Sequence, residues 1–158
     1  MRIPIINKFT CSTKQLPYFI NYLKDKKFVP ILDYANENKS DYDKNFFHLR
    51  KLITSYPNNT IALKLSSLNI KEDYDYAFNK TNFLINIANQ NKCKILIDAE
   101  DFEIQDKINL ITNSMMHKYN IDKVNVYKTY QMYRKDTLDE LKNDINNSNY
   151  NLGCKLVR

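Results

Sequence analysis

One glycine, Gly153, stands in a chain of 158 residues. Loops that cradle a nucleotide's phosphates need several glycines for close backbone approach, so Rossmann-type and P-loop binding are excluded. Cysteine is scarce too. Cys11, Cys93 and Cys154 are far apart and odd in number, with no Cys-x-x-Cys pair. Neither a zinc site nor a disulfide framework is expected from that set. Reduced thiols point to a reducing compartment, cytoplasmic rather than secreted. The two histidines, His48 and His117, have no partners at ligand spacing, so each is expected at a surface or helix end and no metal site is expected. No apolar run approaches the roughly 18 residues of a membrane-spanning helix. The opening segment, Met1 to Asn7, lacks the apolar core of a signal peptide, and too few arginines follow for a convincing transit peptide.

The 43% hydrophobic content is enough for a packed core, and the length suits one ordinary domain over residues 1–158. The net charge is +6, carried mostly by lysine and scattered along the chain. A nucleic-acid face normally clusters its basic residues, with arginine prominent, so no nucleic-acid partner is expected.

The apolar pattern alternates between short β-branched runs and longer helical stripes. Strands are expected from Phe28 to Asp33, Thr60 to Ser66, Cys93 to Asp98, Lys123 to Thr129 and Leu152 to Val157. Helices are expected from Lys14 to Asp25, Ser40 to Ser55, Glu72 to Asn91, Phe102 to Lys118 and Thr137 to Asn147. Strict alternation of this kind predicts an α/β fold with a parallel sheet covered by helices.

The units are regular. Asp33, Lys64, Asp98 and Gln131 recur every 31 to 34 residues, each at or near the end of its strand, and Lys155 and Arg158 repeat the placement on the fifth. Ligands of α/β sheets and barrels sit at the carboxyl ends of the strands. One such residue alone has an ordinary explanation: Asp98 could cap the next helix and Lys64 could reach solvent. Five strand ends carrying polar groups form a site signature.

At these strand ends the sequence resembles the proline dehydrogenase family. The matching segments are LDYANE at 32–37, ALKLSSL at 62–68, IDAE at 97–100, TYQMY at 129–133 and KLVR at 155–158, in the family's order and spacing. The resemblance implies part of a distorted (β/α)8 barrel of the TIM type that binds FAD and oxidises L-proline to pyrroline-5-carboxylate. In that family a hydride passes to flavin N5, and the electrons go on to a quinone. Lys64 matches the lysine that helps hold the substrate carboxylate. Asp98 matches an aspartate beside flavin and substrate, where a carboxylate could pair with Lys64. Gln131 matches the glutamine that hydrogen-bonds the flavin ring. Lys155 matches the basic residue near flavin N5, and Val157 and Arg158 match flavin contacts. Glu37 matches a gate that pairs with an active-site arginine. Eukaryotic members are mitochondrial.

The family pattern continues past KLVR with Gly-Ala-Tyr, three further βα units and a Tyr-x-x-Arg-Arg element that clamps the substrate, whereas this sequence stops at Arg158. The expectation is therefore an incomplete barrel with open first and fifth strands. Such a chain should associate with itself or with a complementary C-terminal half. Independent catalysis is not expected, and a non-catalytic remnant or interaction module of the same family is the alternative. A small basic binding protein, with its strand-end residues serving as caps, is a third reading.

Overall fold

The computed structural model describes residues 10–35 and 41–158. Contacts divide the chain into two units, Met1–Ile31 and Leu32–Arg158. The first contains helix α1 (Leu16–Asp25), with Pro17 in its first turn and Ile20 buried. Proline suits that turn because its missing N–H would have no helical partner. The helix ends where Lys27 takes a φ of 61°.

The sheet contains β1 (Ile31–Asp33), β2 (Thr60–Leu63), β3 (Lys94–Ile97), β4 (Val126–Gln131) and β5 (Cys154–Val157), in that spatial order. The pairs β2–β3, β3–β4 and β4–β5 are parallel. Between the strands lie α2 (Tyr42–Ser55), α3 (Tyr74–Gln90), α4 (Phe102–Tyr119) and α5 (Thr137–Asn147). The parallel sheet alternating with helices is what the alternation predicts, and the sequential strand order is that of the partial α/β barrel the resemblance implies.

Two aspartates start helices through their side chains: Asp41 accepts from the Lys44 N–H at 3.2 Å, and Asp73 from the Tyr76 N–H at 2.9 Å. Each satisfies a donor that the first helical turn leaves unpaired. The helices then bury Leu49 and Ile53 of α2, Leu84 and Ala88 of α3, and Ile108, Ile111 and Met115 of α4. On the strands, Ile61, Leu63, Ile95, Ile97 and Val126 are at most 1% exposed. Fully burying such a side chain stabilises the fold by roughly 1.5–3 kcal/mol. Among the described residues no helix is long and apolar enough to cross a membrane.

All five strands are shorter than their sequence signals, β4 also running two residues past Thr129 to Gln131, and three of the differences have a local reason. Phe28 and Val29 are exposed, and Pro30 has no N–H to offer, so β1 begins only at Ile31. After Leu63 the chain turns into a 3₁₀ turn, Leu65–Leu68, because Leu65 and Leu68 are both pulled to full burial. Before β4, the buried Asn120 side chain accepts from the N–H groups of Asn125 and Val126 and donates to the carbonyls of Val126 and Asn151. That clasp holds residues 123–125 as a loop.

Positions with positive φ are taken by Lys27, Asn58, Asn69 and Lys92, so asparagine and lysine serve where glycine usually would. Gly153 instead leads into β5, with its carbonyl accepting from the Lys128 N–H at 2.9 Å.

Candidate functional site

Register decides which side chains meet at the carboxyl end of the sheet. Ala62 pairs with Leu96, so Lys64 and Asp98, two residues on, share one face. Thr129 pairs with Lys155 and Gln131 with Val157, which places these four on a common face of β4 and β5. The Thr129 hydroxyl faces the Asp98 carboxylate at 3.5 Å and joins the two sets. The mouth therefore presents Asp33, Lys64, Asp98, Thr129, Gln131, Lys155 and Val157. Arg158 stands exposed just beyond β5. Glu37 lies outside the described residues.

Lys64 does not bond Asp98, as the sequence suggested it could. Its ammonium donates to Asp33 at 2.8 Å, while Asp98 receives the Lys155 ammonium at 2.6 Å. Lys155 reaches across β4 to do so, passing the small Thr129, and Asp98 is the more buried partner, with 16% of its side chain exposed against 38% for Lys155. The hydrogen bond from Lys64 to Asp33 holds its ammonium above the usual lysine range. Burial opposes that shift, and the charges of Asp33, Asp98 and Glu100 add to it. Asp98 thus acts on Lys64 through its field.

Gln131 is held at both ends of its amide. It donates to the Glu100 carbonyl at 3.0 Å and accepts from Arg134 at 3.4 Å. Arg134 in turn lies 4.9 Å over the Phe102 ring. Beside these groups is a pocket of about 360 Å³, whose lining includes Asp33, Tyr34, Lys64, Ser66 and Glu100.

Sequence reasoning assigned Glu100 no role. Its carboxylate accepts from the Ser66 N–H at 2.9 Å and from the Ser66 hydroxyl. A buried charge was also missed. Lys128 is 2% exposed and lies between Asp144 and Glu140, each at 2.8 Å. The available signal was a lysine two residues before Tyr130 on an apolar strand, with two acids four apart on the following helix. His117 is exposed in the last turn of α4, as expected. His48 is not at a helix end: it is half-buried within α2 and stacks on Tyr34, with ring centres 4.9 Å apart.

Two phenols affect stability at high pH. Tyr76 donates to Asp43 at 2.7 Å; burial, and then that bond, push its pKa up to about 12. Burial, and then a hydrogen bond to Asp144, raise Tyr130 further. Unfolded phenols titrate near about 10. Above that pH the unfolded chain releases protons that the folded chain keeps, so stability falls as pH rises. Tyr76→Phe is expected to flatten the decline in thermal midpoint between pH 10 and 12. An unchanged slope would count against the Tyr76–Asp43 bond.

The model of the proline dehydrogenase family matches residues 20–158. Proline dehydrogenase 1, mitochondrial, of Drosophila melanogaster is 38% identical over 82 residues, covering 50% of this chain and 12% of that protein. The probable mitochondrial proline dehydrogenase of Schizosaccharomyces pombe is 30% identical over 152 residues, covering 94% of this chain and 28% of that protein. The chain therefore spans well under a third of these relatives. Among solved structures, proline utilization A (PutA) from Bdellovibrio bacteriovorus, inactivated by N-propargylglycine, aligns with a TM-score of 0.75 at 11% identity, covering 90% of this chain and 18% of that one. That likeness concerns the fold. Together with the family match over most of its length, it means that the chain belongs to the proline dehydrogenase family.

Proposed function

We propose that this chain supplies the first five strands, and the substrate- and flavin-facing strand ends, of an FAD-dependent proline dehydrogenase. The observation that carries the reading is the paired row at the mouth, Asp33 with Lys64 and Asp98 with Lys155, on one face of the sheet. FAD fits the donor set. The Gln131 amide suits the hydrogen-bonding edge of a flavin ring, and the Lys155 ammonium suits negative charge developing there. Lys155, Gln131, Val157 and Arg158 would hold the flavin, with Asp98 beside it. When bound, the flavin supplies the two-electron acceptor for oxidation of L-proline to pyrroline-5-carboxylate, with a quinone as the final acceptor.

The chain's own residues bind and orient. Lys64 stays protonated and offers its ammonium to the substrate carboxylate, exchanging part of its bond to Asp33 for that contact. Asp98 holds Lys155 in place and prevents that ammonium from swinging to solvent. Glu37 is assigned to the gate by its position in the family motif.

The exposed side of the sheet supports a second component. Among the described residues β5 is an edge strand; its own Leu156 is 56% exposed, and on α5 Leu138 is 48% and Ile145 61% exposed. Such a face suits further βα units, with self-association as the competing arrangement.

Co-expression with a polypeptide carrying the C-terminal βα units of the family barrel tests the proposal. The expected product is a yellow complex that L-proline bleaches, and Lys155→Met should retain at least 10-fold less flavin. A well-formed but colourless complex would overturn the enzymatic reading in favour of a non-catalytic interaction module.

A further inference from the structure

Behind the strand ends runs a connected line of hydrogen bonds. Its outer end is Lys128, whose ammonium meets three acceptors: Asp144 and Glu140 at 2.8 Å and Asn113 at 3.0 Å. Three acceptors match the three N–H groups of an ammonium. The Glu140 oxygen that holds Lys128 also accepts from the Asn109 amide at 2.9 Å. The Asn109 oxygen accepts from the Gln105 amide at 2.8 Å, and the Gln105 oxygen accepts from the backbone N–H of Glu100 at 2.8 Å. Beyond Glu100 the line divides. The carboxylate takes Ser66, and the carbonyl takes the Gln131 amide at 3.0 Å.

Both ends of the Gln105–Asn109 segment have a fixed polarity. A backbone N–H can only donate, so Gln105 must turn its oxygen to Glu100 and its NH₂ onward. An ionised carboxylate can only accept, so Asn109 must turn its NH₂ to Glu140. Each amide is therefore oriented by its neighbours. Gln105 is 4% exposed, which leaves it little access to solvent partners.

We propose that Gln105 and Asn109 are positioning residues that tie the Glu100 backbone to the buried Lys128 cluster, and thereby set where the Gln131 amide and Ser66 stand at the mouth. The linkage is independent of the proposed activity; only its value for flavin and substrate binding rests on that reading.

Amide hydrogen exchange on the full ¹⁵N-labelled chain tests it. Asn109→Leu breaks the line one step from Gln105. The expected result is at least 10-fold faster exchange of the Glu100 N–H and the Gln131 side-chain amide, with the amides of 111–116 still protected. Gln105→Glu is the conservative control. It keeps an acceptor for the Glu100 N–H but presents no donor to the Asn109 oxygen, so the line is cut one link nearer the mouth. The Gln131 side-chain amide should again exchange faster, while the Glu100 N–H, which keeps a charged acceptor, should lose less protection than in Asn109→Leu. Unchanged exchange at Glu100 and Gln131 in Asn109→Leu would overturn the proposal. So would an equal, general loss of protection in both variants, because packing of α4 would then explain it. Flavin retention by the wild-type co-expressed complex is measured separately. Its absence would sink the enzymatic reading and leave the exchange result standing.

Discussion

Replacing Lys128 by methionine is expected to lower the folding free energy by roughly 3–5 kcal/mol, the usual cost of removing one member of a buried ion pair. Methionine fills similar space, so the loss is electrostatic. Asp144, 10% exposed in its side chain, and Glu140 would be left without their shared cation. A single domain has only about 5–15 kcal/mol in total, so the variant should unfold at far lower urea concentration. Removing the acid as well should recover part of the loss. Lys128→Met with Asp144→Leu takes away the two most buried charges, a replacement that is often close to neutral, but it leaves the buried Tyr130 hydroxyl without its acceptor, which costs about 1–3 kcal/mol. The two substitutions should therefore be strongly non-additive in a double-mutant cycle. A loss from Lys128→Met under about 1 kcal/mol would mean that the ammonium is solvated in the folded chain.

Gly153→Ala is expected to destabilise the chain although the new side chain is a single methyl group. A Cβ there would lie 2.5 Å from Val124 Cγ1, 2.6 Å from the Val126 carbonyl oxygen and 3.1 Å from Tyr127 Cδ1. The valine methyl can rotate away; the carbonyl belongs to β4 and cannot. Overpacking of this kind costs about 1–3 kcal/mol. The reduced freedom of the unfolded chain offsets about 0.4–1 kcal/mol of that. The net loss should lower the thermal midpoint by about 2–4 °C per kcal/mol, read by circular dichroism. Adding Val124→Ala should restore only part, since the carbonyl contact stays. An unchanged or raised midpoint in Gly153→Ala alone would show that the β4–β5 spacing is not set by the missing Cβ.

The order of elements was legible in the sequence because each strand signal is separated from the next by a full helical stripe. Strand ends were less legible. Lys64, Leu65 and Ser66 extend an apolar run that reads as strand, and only the burial of Leu65 and Leu68 turns the chain away. Lys123 to Asn125 alternate like a strand, but a single asparagine at the end of the preceding helix claims the N–H groups of Asn125 and Val126. The row of polar strand ends was visible from spacing alone. Its pairing was not: the resemblance put Asp98 where its carboxylate could pair with Lys64. The carboxylate of Asp33 and the long reach of Lys155 over Thr129 decided otherwise. Lys128 escaped notice because a lysine in an alternating strand reads as a solvent-facing position until the helix that covers it is known.

The spatial order of the strands repeats their order in the chain, and the paired residues stand only 26 to 34 positions apart. Every pairing therefore closes a loop of similar, modest length, and loop-closure entropy grows only slowly with length. No early contact has to await the far end of the polypeptide. Once one strand–helix–strand unit has formed, the next can dock on its free edge, so the sheet can grow by accretion, much as repeat arrays do, in which each unit is stabilised mainly by its neighbours. Low contact order of this kind favours rapid assembly. It would also let a nascent chain organise its strands in the order in which they are synthesised.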